Sequence, residues 1–324
     1  MKLYPLKFQP FYSYRLWGGN KLKSILHKNY DQESIGESWE ISDVKNKETR
    51  VRNGELQGKT LKELIAHFKE ALVGNHVYQN FGLDFPLMIK FIDAKMPLSI
   101  QVHPGNELAK KRHNSLGKNE MWYIMQAEEN AELVVGFNRE MTQKDYKKHL
   151  DANTLDEILN IEKVNQGDAF YIPTGRVHAI GAGVLLAEIQ QTSDITYRIY
   201  DYNRVDKTTG QKRELHTDLA IDAIDFTYHD TYKTRYTNTK NATNKLVYSP
   251  YFKTNFIHVQ EHMLRHLKDV DSFVIYICVE GNIEMNYKGQ NYTFHKGETI
   301  LVPAMVDAVN FEGTNAKLLE VMIL

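Results

Sequence analysis

Gln101 and His103 in IQVHP, Glu120 in GKNEMWY and His178 in PTGRVHAIGAG are the residues of this chain whose types and spacing could hold a metal ion. Imidazole nitrogen and carboxylate oxygen suit a borderline ion such as zinc, while the neutral amide of Gln101 is a weaker donor. Either histidine alone would read as a satisfied imidazole beside a turn. Together with Glu120, spread over separate short strands, they point to one mononuclear site inside a barrel. Residues i and i+2 of a strand share a face, so Gln101 and His103 can converge. The competing role for Gln101 is an outer hydrogen bond that steadies a ligand, because metal sites depend on such groups.

Strands must carry these groups, and the sequence supplies them. PLMIKFIDAKMPLSIQVHP reads as two strands, EMWYIMQAEENAELVVGF as two more, and the segment from Ile161 to Arg204 returns to strand patterning with Gly-rich turns. From Leu246 onward, short strand-like runs recur at intervals near ten residues, which favours a sandwich or barrel over alternating helices and strands. Leu61, Leu64, Ile65, Phe68 and Leu72 recur at helical spacing behind Thr60, predicting a capped amphipathic helix to about His76. A polar stretch from Thr142 to about Asn160 predicts one or two short helices. Gly167-Asp-Ala-Phe-Tyr-Ile-Pro173 is echoed by Gly297-Glu-Thr-Ile-Leu-Val-Pro303, as expected of a duplicated unit. Five residues beyond the two prolines stand His178 and Ala308, so the second copy is expected to lack the metal.

Composition narrows the function classes. A formal net charge of -1 offers no bulk attraction to nucleic acid or to an anionic membrane, so any phosphate recognition must be local. The single cysteine, Cys278, excludes an intrachain disulfide and a thiolate-rich metal site. The N-terminal residues lack a cleavage signal, and no apolar run is long enough to span a bilayer, so a cytoplasmic protein is expected.

RLWGG, IGESWEIS, FPLMIKFIDAKMPLSIQVHP, GKNEMWYI, GRVHAIGAGVLLAEIQQTSDITYRIYDYNR and LHTDLAIDAI together resemble the class I mannose-6-phosphate isomerases in their shorter bacterial form. The resemblance covers most of the first 225 residues, and the Gly-Glu to Pro echo is similar to the second cupin of that family. It implies an all-β-dominated fold of two cupin (jelly-roll) barrels with short peripheral helices. Residues 1–240 would form the catalytic barrel and residues 241–324 a metal-free one, with N-terminal strands as candidates to complete it. It also implies one zinc ion per chain on Gln101, His103, Glu120 and His178, and interconversion of mannose 6-phosphate and fructose 6-phosphate through a cis-enediol.

Arg198 resembles the family's active-site arginine, and a guanidinium there could bind phosphate or stabilise an enediolate. Its rival role is a salt bridge to Glu188 or Asp201. Lys118 resembles the lysine beside the glutamate ligand, a candidate for orienting a hydroxyl or assisting proton transfer. Glu188 is the leading carboxylate to act as the base or to orient it, with Asp194 and a metal-held water as rivals. Lys110, Lys111 and Arg112 form a nearby cationic run that a solvated loop would also explain. Asn119 stands where relatives often have proline, predicting a local loop change. The partner expected is a phosphorylated hexose, with neither nucleic acid nor membrane, and the oligomeric state stays open between monomer and weak dimer. A related sugar-phosphate isomerase, or a non-catalytic sugar-binding protein on the same scaffold, are the competing functions.

Overall fold

Every residue of the strands Ile35–Ile41, Leu87–Ala94 and Val184–Gln191 is buried, and only the last residue of Val274–Glu280 is not. Such runs cannot alternate between core and water, so both faces of the sheets they belong to must be covered. In the computed structural model, which describes residues 2–323, this is achieved by stacking four sheets. The largest has seven strands, in the order Lys233–Thr234, Ala169–Ile172, Glu120–Ala127, Val184–Gln191, Leu87–Ala94, Phe11–Gly19, Ile35–Ile41. One of its faces presents Ile89, Phe91, Met121 and Ile189 to Phe256, Ile275, Leu319 and Val321 of a five-stranded sheet from the C-terminal third. The other presents Ile92, Ile124 and Leu186 to Leu133, Val135 and Ile180 of a second five-stranded sheet. A four-stranded sheet covers the far side through Ile283, Met285, Phe294 and Phe311. Burying each such side chain contributes about 1.5–3 kcal/mol, so these three interlayer cores are what hold the stack together.

The expected all-β pair of closed cupin barrels does not hold. The fold is mixed α/β, with 16% of the chain in helix against 40% in strand, and its five sheets, counting a two-stranded ladder at Phe8–Gln9 and Arg50–Val51, are all open. Lys233–Thr234 and Ile35–Ile41 end the largest sheet on opposite edges, and Tyr197–Tyr200 and Leu159–Lys163 end its neighbour. Facing sheets meet through side chains across their faces and not through a hydrogen-bonded seam, which is what closure would require.

The internal repeat is written in the strand pairing. Leu87–Ala94 and Glu120–Ala127 flank Val184–Gln191 just as Lys253–Val259 and Val274–Glu280 flank Ala316–Met322. Gly167 and Gly297 both take left-handed backbone, at φ 92° and 87°, where a side chain would be strained. Each turn is fastened alike: the Asp168 carboxylate accepts from the Asn165 amide and the Glu298 carboxylate from the His295 amide.

Helices follow their caps more closely than their periodicity. Thr60 and Glu63 form a reciprocal capping box that starts Leu61–Phe68. Lys69 then turns to φ 48° and splits the expected single helix, and Glu70–Val73 and Asn75–Phe81 follow. Thr142 caps Gln143–Asp151 in the same way, and the second short element is a 3-10 turn, Leu155–Glu157. No helix of the described residues is long and apolar enough to cross a membrane.

Candidate metal centre and active site

The strand Ile100–Val102 lies between His178–Ile180 and Tyr197–Tyr200, so His178 pairs with Gln101, and Gln101 in turn with Arg198. Glu120 opens a strand of the facing sheet, opposite Ile172 and Gln190. His103, Glu120 and His178 therefore meet between two layers, all buried, with one donor atom from each within 4.8 Å of the others. Glu120 Oε2 lies 3.6 Å from His103 Nε2, and Glu120 Oε1 lies 3.5 Å from His178 Nε2. Tetrahedral bonds of about 2.0–2.2 Å would place neighbouring donors roughly 3.3–3.6 Å apart, so each histidine–Glu120 spacing fits zinc, while the set as a whole, within 4.8 Å, would draw in slightly around the ion.

The protonation pattern fits as well. His103 Nδ1 lies 2.8 Å from the Ile195 carbonyl and His178 Nδ1 2.8 Å from the Arg176 carbonyl. A carbonyl only accepts, so Nδ1 carries the proton in both rings and each Nε2 turns a lone pair toward Glu120. Burial, with Lys118 nearby, drives His103 well below its ordinary pKa and His178 down to about 3, so both imidazoles are neutral. Two lone pairs thus face a carboxylate whose Oε1 is buried without a hydrogen-bond partner. The Lys118 ammonium meets Glu120 Oε2 and His103 Nε2, whereas no cation of the described residues stands between Glu120 Oε1 and His178 Nε2, and electron-rich atoms left in this way leave a place for one. The chain carries a site able to coordinate a metal. Gln101 borders it, with its amide nitrogen 3.2 Å from His178 Nε2; turning the amide over would bring its oxygen to the same place.

Lys118 and Glu188 complete the inner wall. The Lys118 ammonium is buried, is bonded to Glu120 Oε2, and lies 3.3 Å from His103 Nε2 and 3.7 Å from Glu188 Oε1. Burial would lower its pKa, but Glu120 and Glu188 outweigh that and hold it above the ordinary lysine value. Glu188 accepts from Trp122 Nε1 at 3.0 Å on Oε2, while Oε1 lies 3.3 Å from Lys90 and has no hydrogen-bond partner. Burial pushes this carboxyl up, yet Lys118 and Lys90 together bring it below the usual range, so it is ionised. For Glu120 burial and the Glu188 charge prevail over Lys118, and its pKa rises.

These groups sit in a cavity of about 460 Å³ whose mouth includes Arg15, Lys47, Asp194, Arg198 and Arg213. Neither salt bridge weighed for Arg198 forms: Asp201 is taken by Arg204 and Arg213, and Glu188 lies against the lysines. Arg198 donates from Nη1 to the Glu214 carbonyl at 2.7 Å, and its Nε has no partner. Asp194 is half exposed, 3.9 Å from Lys47. Of the cationic run near residue 110, Arg112 pairs with Asp222, and none lines the cavity. Asn119 holds the loop before Glu120 by bonding Gln191 and receiving the Thr174 amide.

Lys90, Glu37, Trp39 and Arg15 line the same cavity and were not singled out by sequence reasoning. Lys90 had a readable signal, a lone charge in the otherwise apolar run LMIKFI. Glu37 accepts from Arg15 at 2.9 Å and from Trp39 Nε1 at 2.7 Å. Burial pushes Glu37 up, but Arg15 and Lys90 carry it down to about 2.

Comparison with known proteins agrees with this geometry. Residues 6–149 match the model of the phosphomannose isomerase type I catalytic domain, and residues 242–323 that of the mannose-6-phosphate isomerase cupin domain. The chain is 35% identical to mannose-6-phosphate isomerase ManA of Bacillus subtilis, over 95% of this chain and 96% of that one. It belongs to the type I mannose-6-phosphate isomerase family. The family's mannose-6-phosphate isomerase from Streptococcus mutans is 32% identical over 95% of both chains. The crystal structure of the Bacillus subtilis mannose 6-phosphate isomerase superposes with a TM-score of 0.88 at 30% identity, covering 98% of this chain and 99% of that one.

The second half of this isomerase-family chain repeats the wall of the site without its opening. Val274 faces Val302 as Glu120 faces Ile172, and Ala308 faces His266 as His178 faces Gln101, so two donor positions hold hydrocarbon. Glu188, between Lys90 and Trp122, has its counterpart in Glu320, between Asn255 and Tyr276. Glu320 is fully buried and accepts from Asn255, Tyr276 and, at 2.6 Å, Arg265 Nε. An internal guanidinium thus neutralises the carboxylate. Arg265→Met should strand that charge and cost about 3–5 kcal/mol in urea unfolding. A loss under about 1 kcal/mol would show that the pair contributes little, as exposed pairs do.

Proposed function

We infer that this protein is a zinc-dependent aldose-ketose isomerase that interconverts mannose 6-phosphate and fructose 6-phosphate. The observation that carries the reading is the pair of Nδ1-anchored imidazoles aimed at an unsatisfied buried Glu120, beside an ionised Glu188 and a protonated Lys118. His103, His178 and Glu120 would hold the zinc ion, with the Gln101 amide oxygen as fourth donor. Bound there, zinc supplies a Lewis acid beside the sugar's reacting oxygens.

Arg198 is the phosphate anchor in this account. It lines the cavity mouth with no carboxylate within salt-bridge range among the described residues, and its free Nε–H offers a directed donor. With the phosphate there, the open-chain sugar extends inward, and the 460 Å³ cavity accommodates a hexose phosphate. Glu188 takes the proton from C2 of the aldose and returns it to C1, producing the ketose. Lys118, held between Glu120 and Glu188, donates toward the oxygens as their proton moves from O2 to O1, stabilising the charge that develops on the enediol. Lys90 and Trp122 keep Glu188 ionised and in place. A cytoplasmic location goes with this reading and with the lone buried Cys278.

Conversion of mannose 6-phosphate by zinc-loaded protein tests the function, with glucose 6-phosphate as comparator. Preferred turnover of the glucose ester would replace the reading by the related isomerase, and binding of either sugar without turnover would leave a binding protein. Arg198→Ala should retain one zinc per chain and raise KM about 100-fold, in line with a lost charge-assisted contact of roughly 1.5–3 kcal/mol. A fall confined to kcat would move Arg198 from the phosphate to the reacting oxygens.

A further inference from the structure

We propose that a second cavity, on the face of Ile35–Ile41 turned away from the catalytic pocket, is an anion site for inorganic phosphate or a small phosphate monoester. Alternate residues of that strand point to opposite faces. Glu37 and Trp39 line the catalytic pocket, whereas Glu40 lines a separate cavity of about 410 Å³ with Lys28, Tyr12, Arg52, Lys296 and Glu298.

Its floor is a buried ion pair that the isomerisation does not use. Lys28 Nζ lies 2.7 Å from Glu40 Oε1, with the two side chains 7% and 3% exposed. Ser38 Oγ donates to the same oxygen at 2.5 Å, and the Phe91 ring lies 5.1 Å from the ammonium. A buried ion pair is seldom more stabilising than hydrocarbon of the same shape, so one that lines an open cavity points to binding. Glu40 takes one of the three N–H donors of Lys28.

The rim adds cations in excess. Arg52 bonds Glu298, and Lys7 lies 3.6 Å from that same carboxylate, so two cations share one acid. The Lys296 ammonium hydrogen-bonds only the Met125 carbonyl, at 3.5 Å, and burial lowers its pKa against a partial rise from the Glu280 carboxylate, so a further anion beside it would be favourable. Counting the lining groups Lys28, Arg52 and Lys296 against Glu40 and Glu298 leaves one positive charge, with His27 and His295 also on the lining; Lys7 lines a different cavity. That surplus favours an anion such as phosphate, which guanidinium and ammonium groups bind through charge-assisted bonds.

The test is calorimetric titration of the zinc-loaded protein with inorganic phosphate. Arg198→Ala removes the catalytic anchor, and one phosphate per chain should still bind. Adding Arg52→Ala and Lys296→Ala, both on the rim so that the Lys28–Glu40 floor stays intact, should weaken that binding at least tenfold. The two rim changes alone should leave KM for mannose 6-phosphate unchanged. If Arg198 is not the phosphate anchor, two phosphates will bind to Arg198→Ala and one to the triple variant, and the second site stands. Glycerol 3-phosphate distinguishes the sources: tighter binding than phosphate marks an ester site, weaker binding an inorganic one. No phosphate bound to Arg198→Ala, or an affinity indifferent to the rim changes, would overturn the proposal.

Discussion

Replacing His178 by alanine is expected to reduce zinc from one per chain to a trace after dialysis and to lower kcat/KM at least 1000-fold. The reasoning starts from the tautomer: with Nδ1 committed to the Arg176 carbonyl, the ring has one lone pair, and it points at the cluster. Removing it leaves His103 and Glu120 as strong donors, fewer than the three protein ligands that zinc sites with an open position require. It also leaves Glu120 in a buried site with Lys118 as its remaining charged partner on that side. Metal analysis and kinetics check both parts, and circular dichroism guards against simple unfolding. A folded, active variant with full zinc would remove His178 from the ligand set.

Glu188→Gln is expected to keep its zinc and its KM within a few-fold while kcat falls about 1000-fold, within the 10²–10⁴ range for a lost general base. The amide preserves the shape and can still accept from Trp122, so packing is conserved. What it cannot do is take a proton from carbon. It also leaves Lys90 without its carboxylate partner and Lys118 with Glu120 alone, so some loss of stability should accompany the kinetic effect. If kcat changes less than threefold, Glu188 is not the base, and Asp194 becomes the next carboxylate to replace.

The three residues that the structure brings together, His103, Glu120 and His178, are legible in the sequence. His103, Glu120 and His178 stood out because their residue types are scarce in apolar strands, and the strand period put Gln101 with them. The resemblance to the isomerase family supplied Lys118, Glu188 and Arg198, whose types alone are ambiguous. Sheet closure could not be read: alternation reports which face is buried, whereas an open or closed edge depends on pairing between strands far apart in sequence, as between Ile35–Ile41 and Leu87–Ala94. The same limit hid Glu37 and Arg15, which reach the pocket only because their strands join the edge of the largest sheet. The helix behind Thr60 was overextended because the apolar period continues through Lys69, where the backbone itself turns. The repeat was visible as one echoed heptapeptide, but the pairing of Glu320 with Arg265 was not, since those residues are 55 apart in sequence and share no motif with Glu188.

The most direct measurement is turnover of mannose 6-phosphate by protein stripped with a chelator and then titrated with zinc. Zinc-dependent isomerisation requires negligible conversion in the stripped protein and recovery that saturates at one zinc per chain, with fructose 6-phosphate as the product. Undiminished conversion by metal-free protein, or zinc binding at that stoichiometry without any fructose 6-phosphate formed, would contradict it.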